Sequence, residues 1–352
     1  MRKKYFLWLF FLSCFCGSVM TSSGRTVILP DLEKPRVFKV DESRIYITEG
    51  PRIYIYSKKD FTLLKKFGKS GDGPDEFVPT FTGRKRIYID VQADNIVVTS
   101  EERISFFSKN GEFIESMAAP PQSGNYYKSG DFLVGLKYIW ERGKMNATDA
   151  VMVLQRKGRG YKGIAKFYST RPGGGSRIKL SIGGKRDYGV IRHYFGYCVS
   201  DNRIYVADTA NGFFIGVYDI KGNKINEIRK EYQKLKISDS RKKTEMEKFK
   251  ETNMWKYIEH INPVFPEYFP AFRVMRVSKG KIYLHTYAEQ KTGDTTREEV
   301  LVLDAEGTVV QRVFVPTARF ADVYDGKYYY LEKNQDEEWE LKEDKNDRID
   351  YK

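Results

Sequence analysis

Short apolar runs separated by polar turns recur along this chain, always in the same order. Arg44-Ile45-Tyr46-Ile47 is followed by Arg52-Ile53-Tyr54-Ile55-Tyr56, then by a polar turn and Leu63-Leu64-Lys65-Lys66-Phe67. The order returns as Asn95-Ile96-Val97-Val98, Arg103-Ile104-Ser105-Phe106-Phe107 and Glu112-Phe113-Ile114. It returns again as Arg203-Ile204-Tyr205-Val206, Phe214-Ile215-Gly216-Val217-Tyr218 and Lys224-Ile225-Asn226-Glu227-Ile228. A fourth copy is Lys281-Ile282-Tyr283-Leu284, Val300-Leu301-Val302-Leu303 and Val309-Val310-Gln311-Arg312-Val313. These runs are rich in β-branched and aromatic residues and too short for helices, so each predicts a strand.

A further strand precedes each copy, at Val37 to Val40, Arg86 to Val91, Tyr194 to Val199 and Phe272 to Val277. The last two strands of a copy are joined by one kind of turn: Ser108-Lys109-Asn110-Gly111, Asp219-Ile220-Lys221-Gly222-Asn223 or Asp304-Ala305-Glu306-Gly307. Glycine there supplies a positive φ, and the leading Ser or Asp can bond the local backbone. Four short antiparallel strands per repeat of about forty to fifty residues are the pattern of a β-propeller blade. Two weaker copies bring the count to six. One holds Phe132-Leu133-Val134 and Val151-Met152-Val153-Leu154 and ends near Ile164 to Tyr168; the other holds Tyr328-Tyr329-Tyr330-Leu331 and Trp339-Glu340-Leu341. The last copy lacks an outer strand, and Thr26 to Leu29 is placed to supply it, which would remove the ring's open edges. The expectation is an all-β, six-bladed β-propeller of four-stranded antiparallel blades, forming one domain over residues 26–352.

Two segments carry a resemblance to known proteins. Ile204-Tyr205-Val206-Ala207-Asp208-Thr209-Ala210-Asn211, followed by Val217-Tyr218-Asp219 and Gly222-Asn223, resembles an NHL repeat. Phe67-Gly68-Lys69-Ser70-Gly71-Asp72-Gly73-Pro74-Asp75-Glu76-Phe77 is similar to the link between blades in the bacterial six-bladed β-propeller family. The resemblance runs from residue 37 to residue 331. It implies the fold and export from the cytoplasm, frequently as a lipoprotein. It implies little about activity, because propellers host many unrelated ones.

The N-terminus points the same way. Arg2, Lys3 and Lys4 precede an unbroken run of apolar, Ser and Cys residues from Tyr5 to Phe15, and small residues (Gly17, Ser18) follow. This is the plan of a secretory signal, over residues 1–22, and the run is short for a membrane span. Phe11-Leu12-Ser13-Cys14 resembles a lipobox and makes Cys14 the candidate for lipidation; cleavage beyond Ser18 is the alternative. The expected place is extracytoplasmic, in the periplasm, cell envelope or medium. Beyond the signal only Cys198 remains, so no disulfide framework is available and stability has to come from packing.

Residues 238–261 interrupt the strand pattern. Ser238-Asp239-Ser240 offers helix caps, Met246, Phe249, Met254, Trp255, Ile258 and Ile261 fall near helical spacing, and Asn262-Pro263 ends the segment. An amphipathic helix inserted between blades 4 and 5 is expected, serving as a lid or as a partner-binding element. In a four-stranded meander the turns between second and third strands share a face with the links between blades. The insertion, the Gly68–Phe77 link and Glu49, Arg52, Arg103, Asp208 and Asn211 therefore fall on one side. With Trp255 and Tyr257 of the insertion they are the candidate ligand-binding residues, since loops on a rigid scaffold carry function.

Composition narrows the chemistry. Aromatic residues make up 15% of the chain, and the net charge is +14. From Ala150 to Arg186 there is no acidic residue, and Arg156, Lys157, Arg159, Lys162 and Lys166 are candidates for contacting a polyanion, with Tyr161, Phe167 and Tyr168 interleaved. Glu332 to Lys352 is acid-rich and expected to fray. The Gly68 link lacks the Gly-Lys-Ser/Thr ending of a phosphate cradle and precedes a strand. No Gly-x-Ser-x-Gly elbow is present, and His193, His260 and His285 show no metal-ligand spacing. Neither catalytic residues nor a cofactor is assigned. The expected function is an exported, monomeric, non-catalytic binding or scaffold module for a protein or acidic glycan. Export argues against nucleic acid, and any membrane attachment would come from the N-terminal lipid. The alternative is a lactonase-like hydrolase or lyase with a divalent cation such as Ca²⁺ in the central channel, where Asp90, Asp208 and Asp322 could converge.

Overall fold

The computed structural model describes residues 24–77, 87–100, 103–119, 123–139, 148–157, 160–169, 185–292, 295–344 and 349–350. They form a six-bladed propeller. Blade 1 is Val37–Val40, Arg44–Glu49, Arg52–Ser57 and Leu63–Phe67, paired in chain order, and blade 2 is Tyr88–Val91, Asn95–Ser100, Arg103–Ser108 and Phe113–Ala118. Blade 3 is Ser123–Ser129, Phe132–Ile139, Thr148–Lys157 and Gly160–Tyr168, and blade 4 is Phe195–Ser200, Arg203–Asp208, Phe213–Asp219 and Lys224–Lys230. Blade 5 is Val274–Ser278, Lys281–Thr292, Thr295–Leu303 and Val309–Pro316. Blade 6 takes three strands, Phe320–Tyr324, Lys327–Lys333 and Trp339–Asp344, from the far end of the sequence, and its outer strand is Thr26–Ile28. The register Thr26↔Lys342, Val27↔Leu341, Ile28↔Glu340 closes the ring as the sequence predicts.

The core is six wedges, one between each pair of neighbouring blades. Ile45, Ile47, Tyr54 and Tyr56 of blade 1 meet Phe320, Tyr329, Leu331 and Leu341 of blade 6. On the other side of blade 1, Tyr46, Ile53 and Ile55 meet Ile89, Ile96, Val98 and Phe107 of blade 2. The same arrangement joins blades 2 and 3, 3 and 4, 4 and 5, and 5 and 6. Middle strands are thus covered on both faces, which is why Ile45-Tyr46-Ile47 and Ile53-Tyr54-Ile55 read as continuous apolar runs and are fully buried. Outer strands are covered on one face only. Leu64, Ile114, Ile225 and Val310 there stay exposed beside basic residues such as Lys65 and Lys224, a charge placement that discourages edge-to-edge pairing.

The turn glycines do a second job besides adopting positive φ. Gly111, Gly222 and Gly307 have φ of 75°, 90° and 90°, and a Cβ on each would collide with the outer strand of the preceding blade: Phe67, Ala165 and Ile228 respectively. Glycine is therefore required by the blade-to-blade approach as well as by the turn. In blade 1 the matching turn uses Phe61 at φ 62°, buried in the closing wedge and stacked under the Arg25 guanidinium at 3.9 Å.

The insertion is two helical pieces instead of one amphipathic helix. An α-helix spans Asp239–Lys250, capped by Ser238, and a 3₁₀ segment spans Asn253–His260, with Thr252 extended between them. The α-helix is too polar to bury a stripe, and Phe249 is its one buried side chain. Phe249 stacks on Tyr188 at 5.3 Å and meets Trp255 edge-on at 6.0 Å. Ile261–Val264 then pairs in parallel with Arg186–Gly189, in the link between blades 3 and 4. Arg241 bonds Glu289 of blade 5, and Ile191, Ile237 and Phe269 form a satellite cluster with Leu235, Phe265 and Tyr287. The insertion is thus tied to the body of the propeller along its length.

The acid-rich C-terminus is more ordered than its composition predicts. Leu341 is fully buried, Arg25 and Lys327 each hold Glu343 at 2.9 Å, and Ile349–Asp350 adds a fifth strand to blade 5 opposite Gln311 and Arg312. Ion pairing and one buried leucine outweigh the charge density there. Among the described residues no helix is long and apolar enough to cross a membrane.

Candidate functional site

Each blade places one residue of its innermost strand at the same register position. Lys39 pairs with Tyr46, Asp90 with Val97, Tyr127 with Val134, Cys198 with Tyr205, Arg276 with Tyr283 and Asp322 with Tyr329. All six line a cavity of about 720 Å³ in the central channel. It opens on the face formed by the turns between first and second strands, since Asp41 to Arg44, Gln92 to Asp94, Ser200, Asp201 and Lys279 form its rim. Its volume is that of a ligand pocket, about 300–1,000 Å³.

Round the ring the six positions read positive, negative, neutral, neutral, positive, negative. The charges are paired across blade boundaries. Lys39 Nζ lies 3.9 Å from Asp90 Oδ1, and Arg276 Nε lies 3.4 Å from Asp322 Oδ1. Asp322 Oδ2 also accepts from Val40 N at 3.0 Å, which joins blade 6 to blade 1. The remaining seams are bridged by uncharged groups. Tyr197 Oη donates to Asn125 O at 2.8 Å between blades 4 and 3, and Cys198 Sγ donates to Met275 O at 3.4 Å between blades 4 and 5. With its amide nitrogen turned toward Lys128 O, Gln92 makes two 2.6 Å bonds to the Lys128 backbone, joining blade 2 to blade 3. A polar contact therefore crosses every seam at the channel wall.

The surroundings tune these groups. Burial pushes the Asp90 carboxyl up against the pull of Lys39. For Arg276 burial acts downward, but the charge of Asp322 and the neighbouring Cys198 and tyrosines hold it above its ordinary value. Burial raises the Cys198 thiol, and it raises the Tyr127 phenol to about 12, so both stay protonated at neutral pH. At the rim, Asp41 is ion-paired with Lys109 of blade 2 and accepts from Tyr46 Oη at 2.8 Å. Two buried polar atoms of lining residues, Asn125 Oδ1 and Arg44 Nη1, have no hydrogen-bond partner among the described residues.

The residues expected from sequence lie elsewhere. Glu49 accepts from the backbone of Glu33 at 2.9 Å and of Lys34, and Arg52 is exposed opposite it across the turn. Arg103 donates to Asp72 O at 2.7 Å and to Glu76 O, holding the glycine-rich link. Asp208 is buried and caps the short helix Thr209–Asn211 by accepting from Ala210 N at 3.0 Å; Asn211 is exposed. Trp255 packs on Phe249 beneath Lys250, and the side chain of Tyr257 lies outside the described residues. These residues share the face opposite the open mouth and belong to blades 1, 2 and 4 and the insertion, and among the described ones none lines the channel cavity. Lys162 and Lys166 are exposed on the outer strand of blade 3, and Lys157 and Arg156, the latter near Glu115, are exposed at the end of the strand before it. Arg159 and Cys14 lie outside the described residues. Of the three acids that could have met in the channel, Asp90 and Asp322 reach the ring; Asp208 sits at the other end of its strand. Among the described residues no group of three or more His, Cys, Asp or Glu is arranged to hold a metal ion.

Sequence reasoning anticipates Asp90 and Asp322 in the channel and misses Lys39, Tyr127, Cys198 and Arg276, because no two of the six lie close in sequence. One signal could have found them: a polar or charged residue in the third position of a short apolar inner strand, as in Val-Phe-Lys39-Val, Tyr-Ile-Asp90-Val, Val-Met-Arg276-Val and Phe-Ala-Asp322-Val.

No protein-family model matches the chain, and no curated protein matches it. Among solved structures it is similar to the β-propeller domain of the Trilobed protease from Pyrococcus furiosus, at 12% identity and a TM-score of 0.43, covering 91% of this chain and 84% of that one. It is also similar to the Neurospora crassa Pan2 WD40 domain, at 8% identity and a TM-score of 0.41 over 90% and 93% of the two chains. BamB from Moraxella catarrhalis aligns at 10% identity with a TM-score of 0.32 over 86% and 80%. The blade count rests on the strand registers of this molecule.

Proposed function

We propose that this protein is an exported, non-catalytic binding propeller that takes its ligand at the open mouth of the central channel. The observation that carries this reading is the cavity of about 720 Å³ whose wall receives one side chain from each blade. A pocket assembled from six rigid strands is pre-organised, which lowers the ordering cost of binding. The two carboxylates of its inner ring, Asp90 and Asp322, are each engaged by a cation of the neighbouring blade, an arrangement that suits recognition better than acid–base chemistry. The opposite face supports binding less well. Glu49, Arg103 and Asp208 hold backbone there, and the insertion's Phe249 is used to dock it. Export follows from the N-terminal charge and hydropathy pattern.

The test is a plug. Ser200 lines the rim, and Ser200→Trp fills the mouth without touching the insertion. Immobilised wild-type protein, the plug variant and a variant lacking residues 238–261 are exposed to solubilised native envelope, and the eluates are compared by mass spectrometry for proteins and glycans. Specific capture lost in the plug variant and kept without the insertion supports the reading. Equal capture by wild type and plug variant overturns it. Fractionation with intact-mass measurement of the mature chain reports export and any lipid on Cys14.

A further inference from the structure

We infer that the channel mouth recognises a neutral, polyhydroxylated ligand, the end or a short stretch of an uncharged saccharide. The inference rests on the channel mouth being the binding site. Three features of the wall lead to it. The ring carries two cations and two anions, Lys39, Arg276, Asp90 and Asp322, already paired across blade boundaries. At the level of this ring a ligand with net charge would have to separate one of these pairs, and the rim above it sets Asp41, Glu42, Asp94 and Asp201 against Arg44, Lys109 and Lys279, so neither sign dominates. Hydroxyls make no such demand, because each can donate to a carboxylate and accept from a cation at once.

The wall also has two distinct halves. At the inner wall blades 5, 6, 1 and 2 supply the alternating charges, and blades 3 and 4 supply Asn125, Tyr127, Tyr197 and Cys198, with Asp201 of blade 4 at the rim above them. One side of the cavity is thus built of charge-assisted hydrogen-bonding groups and the other of tyrosines and a neutral amide. A pyranose ring has the same division, with hydroxyls round its edge and an apolar C–H face that rests on aromatic rings. Finally, Asn125 lines the cavity at the aromatic side, and its Oδ1 is covered and has no partner among the described residues. An acceptor left without a bond costs stability, and a rotation of the side chain that brings it to a ligand donor removes that cost.

The experiment uses the mature full chain. Binding of neutral hexasaccharides of glucose, mannose and xylose, and of a hexasaccharide of galacturonic acid, is measured by calorimetry for wild type, Asn125→Ala, Asp90→Asn and the Ser200→Trp plug. A neutral hexasaccharide is expected to bind, with affinity lowered at least tenfold in Asn125→Ala and Asp90→Asn and abolished by the plug. Thermal melts accompany each variant. Asn125→Ala is expected to melt no lower than wild type, since it removes an unsatisfied acceptor, so a binding loss there is not a folding loss. Tighter binding of the uronic acid than of any neutral sugar overturns the inference, as does retention of a basic or zwitterionic peptide in place of the sugars. Failure of every saccharide, with the plug still abolishing capture from the envelope, overturns the ligand class and leaves the site standing. Capture that survives the plug overturns both.

Discussion

Asp322 makes the sharpest demand on the ring. Its carboxylate pairs with Arg276 at 3.4 Å and accepts from Val40 N at 3.0 Å, so one buried side chain ties blade 6 to both of its neighbours. Removing one member of a fully buried ion pair costs about 3–5 kcal/mol, and an orphaned buried N–H costs about 1–3 kcal/mol. Arg276 keeps 34% of its side chain accessible in the open channel, so water offsets part of the first amount. Asp322→Ala is therefore expected to lose about 3 kcal/mol of unfolding free energy. Asp322→Asn keeps an acceptor for Val40 N and loses the charge, and is expected to lose about 1–1.5 kcal/mol. Replacing the pair together, as Arg276→Met with Asp322→Leu, leaves only Val40 N orphaned and should recover most of the loss. The assay is urea unfolding followed by tryptophan fluorescence, because Trp339 packs against the same wedge. A shift in midpoint at constant slope reads stability directly. If Asp322→Ala costs less than about 0.5 kcal/mol, the seam contacts are incidental and the structural account of the ring fails.

Four further outcomes follow from other parts of the molecule. Asp41 sits below the ordinary carboxylate range: burial raises it, and its bonds to Lys109, Tyr46 and Ser43 outweigh that. A depressed carboxylate stabilises above its unfolded pKa and loses that stability as pH falls through the folded one, so wild type should exceed Asp41→Asn by about 1 kcal/mol at pH 7 and the gap should close below pH 4 in parallel melts. His285 Nδ1 lies 2.6 Å from Glu298 Oε1, which favours the charged ring, but burial and the charges of Arg276 and Arg273 outweigh it and lower the imidazole to about 3, while an unfolded histidine binds its proton near 6.5. The unfolded chain then binds more protons between those values, so stability should fall as pH drops from about 6.5 toward 3, and His285→Gln should flatten that slope. Gly307→Ala combines φ of 90° with a Cβ 2.6 Å from Ile228 Cγ2 and 2.8 Å from its Cγ1, and should cost about 2–3 kcal/mol in the same urea unfolding. Charge reversal at Lys157, Lys162 and Lys166 should shorten retention on a heparin column; unchanged retention would remove blade 3 as a polyanion contact.

The fold was readable because the blade is a local unit. Strands such as Arg44–Glu49 and Arg52–Ser57 are adjacent in sequence, covered on both faces, and separated by turns with their own residue chemistry. Even the closing strand was legible, since one blade lacked a member. The insertion was read too simply because spacing alone does not show that Phe249 is the one side chain of its α-helix that the body buries. The channel site was legible only in its two acids, Asp90 and Asp322, for a geometric reason. Lys39, Asp90, Arg276 and Asp322 come together only when six separate inner strands meet at one axis, and each has one charged residue to offer. Loops such as Glu49–Arg52 announce themselves by composition, which directs attention to the rim of the blades and away from the axis.

The exchange of strands at blade 6 also sets the condition under which the molecule can be completed. Thr26–Ile28 leads the propeller sequence, yet its partner Trp339–Asp344 lies at the far end, so this pairing has the largest sequence separation of any in the ring. Closing a loop of that length carries the largest entropic cost of any pairing in the ring. Without it Leu29, Leu32 and Phe61 have no complete wedge to enter and blade 6 keeps a bare apolar edge. The circle can therefore be complete only when both ends of the propeller sequence are present, and the pairing of Arg25 with Glu343 marks its closure.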